Sequence, residues 1–101
     1  MITNATEELR EAVGRREVLA AMIQVIHHGS GERATVLFPD HTEQEAGEFW
    51  HFLDFDYDSG YGTQHVFGVV WLDDGTWLER REYDGSERWV RRDCPPLPQR
   101  G

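Results

Sequence analysis

The chain of 101 residues contains no lysine; all ten of its basic residues are arginine. Cys94 is its only cysteine, which excludes an internal disulfide and fits a reducing compartment. Long apolar runs are missing too. The longest, 18-VLAAMI-23, falls far short of the ~20 residues a membrane-spanning helix needs. The opening 1-MITNATEEL-9 has neither the basic nor the apolar region of a secretory signal. These absences predict a soluble, cytoplasmic protein. Its length predicts one domain over residues 1–101, with 93–101 as an extended proline-rich tail.

Motifs that carry chemistry are equally scarce. The 29-GSG-31 turn lacks the Lys-Ser/Thr that completes a phosphate loop. Cys94, beside Asp93 and before two prolines, has no positive field to make it a nucleophile. Ser59 has no nucleophile-elbow context. Of the five histidines, His27 and His28 are adjacent and cannot easily share an ion. Neither these two nor His41, His51 and His65 have a His or Cys four residues away. The expectation is no catalysis, no metal and no cofactor, with the histidines at the surface or in caps.

What the chain has in excess is acid. Nineteen Asp and Glu against ten Arg give a net charge of −9. Residues 31–58 hold eight of those acids and only Arg33, for −7, while the segments on either side carry −1 each. A field of that sign repels nucleic acid and membrane surfaces and attracts basic protein surfaces.

Local patterns predict an α+β domain. Asn4 and Glu7 have capping-box spacing ahead of Leu9, Ala12 and Val13, and Gly14 is a natural stop, so a helix is expected over about 5–14. Residues 20–28 read two ways. Val18, Met22, Val25 and Ile26 keep helical spacing, whereas the β-branched content favours a strand turning through 29-GSGE-32 into 33-RATVLF-38. Thr42 and Glu45 form a second capping box, opening a helix over about 43–53 whose Phe49, Trp50 and Leu53 face the core. Then 66-VFGVVWL-72, 76-TWLERREY-83 and 87-ERWVRR-92, joined by 73-DDG-75 and 84-DGS-86, read as a three-stranded meander. Alternation sets Trp77, Glu79, Arg81 and Tyr83 on one face and Leu78, Arg80 and Glu82 on the other, with Glu–Arg pairs across strands. Trp71, Trp77 and Trp89 read as sheet core.

The run 54-DFDYDSG-60 concentrates the question. Asp54, Asp56 and Asp58 match positions 1, 3 and 5 of a calcium loop, but Ser59 stands where the turn needs glycine and His65 where it needs glutamate. As an extended strand, the three carboxylates would line one face at a spacing of ~6.7 Å, with Phe55 and Tyr57 anchoring the other. That is roughly four times sparser than the phosphates of a duplex. Glu43, Glu45 and Glu48 from the helix, Asp40 before it, and Asp73 and Asp74 from a nearby turn would fill part of the gap. The blander reading is a charged strand edge that deters edge-to-edge pairing.

The segment 67-FGVVWLDDGTWLERREYDGSERW-89, with 94-CPPLP-98, resembles the C-terminal half of small phage and prophage proteins of the anti-CRISPR and anti-restriction type. The likeness spans about a third of the chain and transfers no site residue. It implies a stoichiometric inhibitor in the host bacterial cytoplasm, monomeric or weakly dimeric, that occupies the basic surface of a CRISPR surveillance subunit or restriction enzyme. Alternatives with the same electrostatics or size are an antitoxin against a basic nuclease, a phage structural protein and a calcium-responsive module.

Overall fold

The computed structural model describes residues 2–27, 31–58, 64–83 and 85–93. In chain order these form β1 (Ile2–Asn4), α1 (Ala5–Val13), β2 (Val18–His27), β3 (Gly31–Leu37), α2 (Glu43–Phe52), β4 (Asp56–Asp58), β5 (Val66–Leu72), β6 (Thr76–Tyr83) and β7 (Ser86–Asp93). The fold is α+β. Five strands make one antiparallel sheet in the order β3-β2-β5-β6-β7, and β1 pairs with β4 in a separate two-stranded ladder.

Both helices start where their caps predict. The Asn4 carboxamide oxygen accepts the Glu7 N–H, and Gly14 ends α1 at φ 65°, donating its N–H to the Arg10 carbonyl. In α2 the Thr42–Glu45 capping box is closed in both directions. The strand reading of residues 20–28 is the one realised. A helix through Val18–Ile26 would have spread its apolar residues round one stripe, whereas β2 uses them on two faces. Its Ala21, Ile23 and Val25 are buried, and Met22 points to the opposite, open side. The connecting residues 28–30 lie outside the described residues, as do 59–63 and the tail 94–101.

All the helical mass lies on one side of the sheet. Leu9 and Val13 of α1, Phe49 of α2, Leu53 just after it and Tyr57 of β4 form one core with the inward residues of β2, β3, β5 and β6. Fully buried Leu and Val side chains of this kind each contribute about 1.5–3 kcal/mol. The sheet tightens at Gly68, whose φ is 143° and whose absent Cβ would sit 2.1 Å from the Met22 carbonyl oxygen. Only glycine lets β5 approach β2 this closely. Trp71 does not join the core. Alternation along β5 buries Val70 and Leu72, so Trp71 stands on the face that carries no helix, 39% exposed. Trp77 and Trp89 are half-buried.

No helix among the described residues is long and apolar enough to cross a membrane.

Candidate functional site

Two groups of acidic residues stand out by how they are neutralised. On the meander and the turn beside it, Asp74, Glu79 and Glu87 meet arginines. Glu79 accepts from Arg92 at 2.7 Å and lies 3.1 Å from Arg81. The Arg92 hydrogen bond is the main reason its carboxyl is held below the usual range. Asp74 accepts from the backbone and hydroxyl of Thr76, at 3.1 and 2.5 Å, and from Arg16 Nε at 2.5 Å. The Thr76 hydroxyl contributes most to lowering its pKa to about 2, and Arg16 adds to it. Asp73 accepts the Glu17 N–H at 3.2 Å. The pair Asp73–Asp74 therefore pins the β5–β6 turn to the segment after α1. Arg16 neutralises Asp74 there, while Asp73 stays exposed.

The second group has no such partners. Asp40, Glu43, Glu45, Glu48, Asp54 and Asp56 are exposed, and none pairs with an arginine among the described residues. The two arginines nearest α2 are used differently: Arg10 stacks over Trp50 at 4.2 Å and Arg33 over Phe52 at 5.6 Å. They hold the helix through its rings and leave its carboxylates uncompensated.

The predicted three-aspartate strand is shorter than its sequence suggests. Asp54 precedes β4, in the turn that closes α2, where its N–H bonds the His51 carbonyl at 3.0 Å. Only Asp56 and Asp58 belong to the strand, opposite Asn4 and Ile2. Asn4 nevertheless gathers two of the three carboxylates. Its amide nitrogen donates to Asp54 at 3.0 Å and to Asp56 at 3.1 Å, while its oxygen caps α1. One residue thus offsets the repulsion between two acids and ties them to the positive end of a helix. Phe55 and Tyr57 anchor the segment as expected, with Tyr57 buried and Phe55 half-buried.

The acids do not form a ladder. At ~100° per residue, Glu43 and Glu48 lie about 140° apart around α2, so the carboxylates wrap its exposed side. Among the described residues, no three His, Cys, Asp or Glu side chains converge as metal ligands.

A second cluster, unrecognised in the sequence, is internal. Arg80 is 7% exposed and donates to Glu8 at 2.9 Å, to Glu87 at 2.8 Å and to the Tyr57 hydroxyl. Tyr57 in turn donates to Glu8, and the guanidinium also lies over Trp89. Burial opposes the Arg80 charge more than any single neighbour favours it, yet Glu8, Tyr57 and Glu87 together raise its pKa. Burial, followed by the hydrogen bond to Glu8, pushes the Tyr57 hydroxyl above its usual range. Glu87 also accepts the backbone N–H groups of His65 and Val66, at 2.7 and 3.0 Å, fixing the start of β5. The half-buried His65 ring stands 3.5 Å from the same carboxylate, at the edge of this cluster. His51 is exposed at the end of α2, and the His41 ring bonds the Phe38 carbonyl at 2.6 Å. The side chains of His27 and His28 fall outside the described residues. In the cluster, alternation puts Arg80 on the core face with Leu78; what it cannot show is that Glu8 and Glu87 arrive there as counter-ions.

No protein-family model, no curated protein and no solved structure matches the chain.

Proposed function

We propose that the chain is a non-catalytic binding protein that docks its α2–β4 acidic side on a basic, nucleic-acid-binding surface of another protein. One observation carries this reading: Asp40, Glu43, Glu45, Glu48, Asp54 and Asp56 are exposed without an arginine partner among the described residues, whereas Asp74, Glu79 and Glu87 of the meander and its turn each meet an arginine. Six uncompensated charges on one side of a small domain give a directed field that steers association with a basic groove. The wrapped arrangement supports recognition by charge density more than by copying phosphate spacing. The resemblance to phage inhibitors supplies the partner class, a CRISPR surveillance complex or restriction enzyme of the host cell.

The test is a pull-down from bacterial lysate at low and high salt, with wild type beside a Glu48→Lys, Asp54→Lys, Asp56→Lys variant. A DNA-processing enzyme captured only by wild type, and released at high salt, is the expected result. Capture of a small basic nuclease by the same face would assign an antitoxin role instead. Equal capture by the variant would remove the acidic side as the interface.

A further inference from the structure

The sheet has a second side, and nothing among the described residues covers it. With α1, α2 and the β1–β4 ladder all on one face, the outward residues of β2, β3 and β5 are left open. Leu19, Met22, Val36, Phe38 and Trp71 stand 45, 55, 49, 60 and 39% exposed. They line two adjoining shallow apolar grooves of about 390 and 470 Å³ that share Met22, Val36 and Trp71. No charged residue occurs in 18–26, 34–38 or 66–72, in a chain with a net charge of −9.

From these observations we infer that this open face is a dimer interface, packing against the same face of a second copy of the chain. Area is the first argument. The five exposed side chains present roughly 500 Å² of apolar surface, at the upper end of what a monomer leaves uncovered. The flanking Phe67, Val69 and Trp77 bring the patch toward the ~800 Å² per partner of a standard interface.

Charge is the second argument. Two chains of −9 repel, so self-association requires the acids to face away from the contact. Here most do: Glu43, Glu45 and Glu48 of α2 and Asp56 of β4 lie on the far side of the sheet, and of the acids on β2, β3 and β5 only Glu32, at the opposite end of β3 from Phe38, shares the open face. Two sheets stacked face to face at ~10 Å would hold the two acidic layers roughly 30 Å apart, several times the ~8 Å Debye length. At the rim, Glu79 stands between Arg81 and Arg92 on the outer side of β6–β7. A rim carrying both signs can complement itself about a two-fold axis. The two grooves are lined by no charged residue and give a basic partner nothing to recognise; an apolar, self-matching surface fits a copy of itself.

The dimer and the acidic docking side are independent, and each leaves the other free. The test is sedimentation equilibrium of the full chain from about 1 μM to about 1 mM, the range that brackets weak and moderate dimers. It is run at physiological and at high salt for wild type, Met22→Glu, Val36→Glu and the acidic-side variant Glu48→Lys. Wild type and Glu48→Lys are expected to reach the mass of two chains, undiminished by salt. Met22→Glu and Val36→Glu are each expected to raise the dimer dissociation constant at least tenfold while keeping wild-type circular dichroism and melting as monomers. A wild type with the mass of one chain throughout overturns the inference. So does a dimer that both patch variants leave intact, which would place the contact elsewhere, for example along the β3 edge. Loss of the dimer at high salt also overturns it.

Discussion

The amide nitrogen of Asn4 lies 3.0 Å from a carboxylate oxygen of Asp54, fifty residues away in sequence, and holds Asp56 at 3.1 Å with the same group. This residue makes the acidic corner of the molecule stable. Asn4→Asp keeps a side chain that caps α1 equally well, but removes both donors and adds a third carboxylate beside the other two. The substitution is expected to cost about 1–2 kcal/mol at low salt, with the deficit shrinking as ionic strength rises. Urea titrations at two salt concentrations measure this, and a deficit independent of salt would show that repulsion is not its cause.

Arg80 stands to the interior as Asn4 does to the surface. Its removal as Arg80→Met leaves Glu8 and Glu87 facing each other without a counter-charge, for an expected loss of about 3–5 kcal/mol. Arg80→Lys keeps the charge but not the fork that reaches both carboxylates and the Tyr57 hydroxyl, so it is expected to recover only part of that loss. Denaturant midpoints decide the matter. A Met variant within about 1 kcal/mol of wild type would mean that the cluster is not paired as described.

Gly68 and Gly75 both have positive φ, 143° and 85°, yet they respond differently to a methyl group. A Cβ at Gly68 meets the Met22 carbonyl, while at Gly75 it meets open space. Gly68→Ala is expected to lose about 3 kcal/mol or more, through a forced separation of β5 from β2, and Gly75→Ala about 1 kcal/mol from backbone strain alone. Thermal unfolding of the two variants should preserve that order.

The pH dependence follows from Asp74. Its pKa falls from 3.8 to about 2 in the folded chain, so the unfolded chain binds its proton first as pH drops. The stability it contributes is complete above about pH 5 and disappears between there and about pH 2. Glu79, also lowered, adds to the same acid limb. The stability difference between wild type and Asp74→Asn should therefore be full at pH 7 and close as pH approaches 2. A difference constant across that range would mean that the Asp74 charge contributes nothing.

Short-range chemistry made much of this fold legible. Asn4 with Glu7 and Thr42 with Glu45 set both helix starts, because a cap and its partner are three residues apart. The Asp-Gly turns and alternating strands marked the meander. Pairings across long separations left no such trace: β2 against β5, Asn4 against Asp54, and Glu8 against Arg80, 72 residues away. The open face did leave a signal. In 18-VLAAMI-23 and 66-VFGVVWL-72, apolar residues fill both faces of the strand without alternating, the pattern of a sheet buried on two sides. With the helices on one side only, such a run is the trace in the sequence of the proposed dimer face.

The acidic side is the proposed docking surface, and one binding competition tests it most directly. DNA binding by purified CRISPR surveillance complexes and restriction enzymes is measured while the chain is added, as wild type and as the Glu48→Lys, Asp54→Lys, Asp56→Lys variant. For at least one enzyme of the panel, wild type is predicted to displace DNA at near-stoichiometric amounts in low salt and to lose this effect as salt rises, while the variant leaves DNA bound. If wild type displaces DNA from none of them, or the variant displaces it equally well, the exposed carboxylates of Glu48, Asp54 and Asp56 are not part of a docking surface for such enzymes.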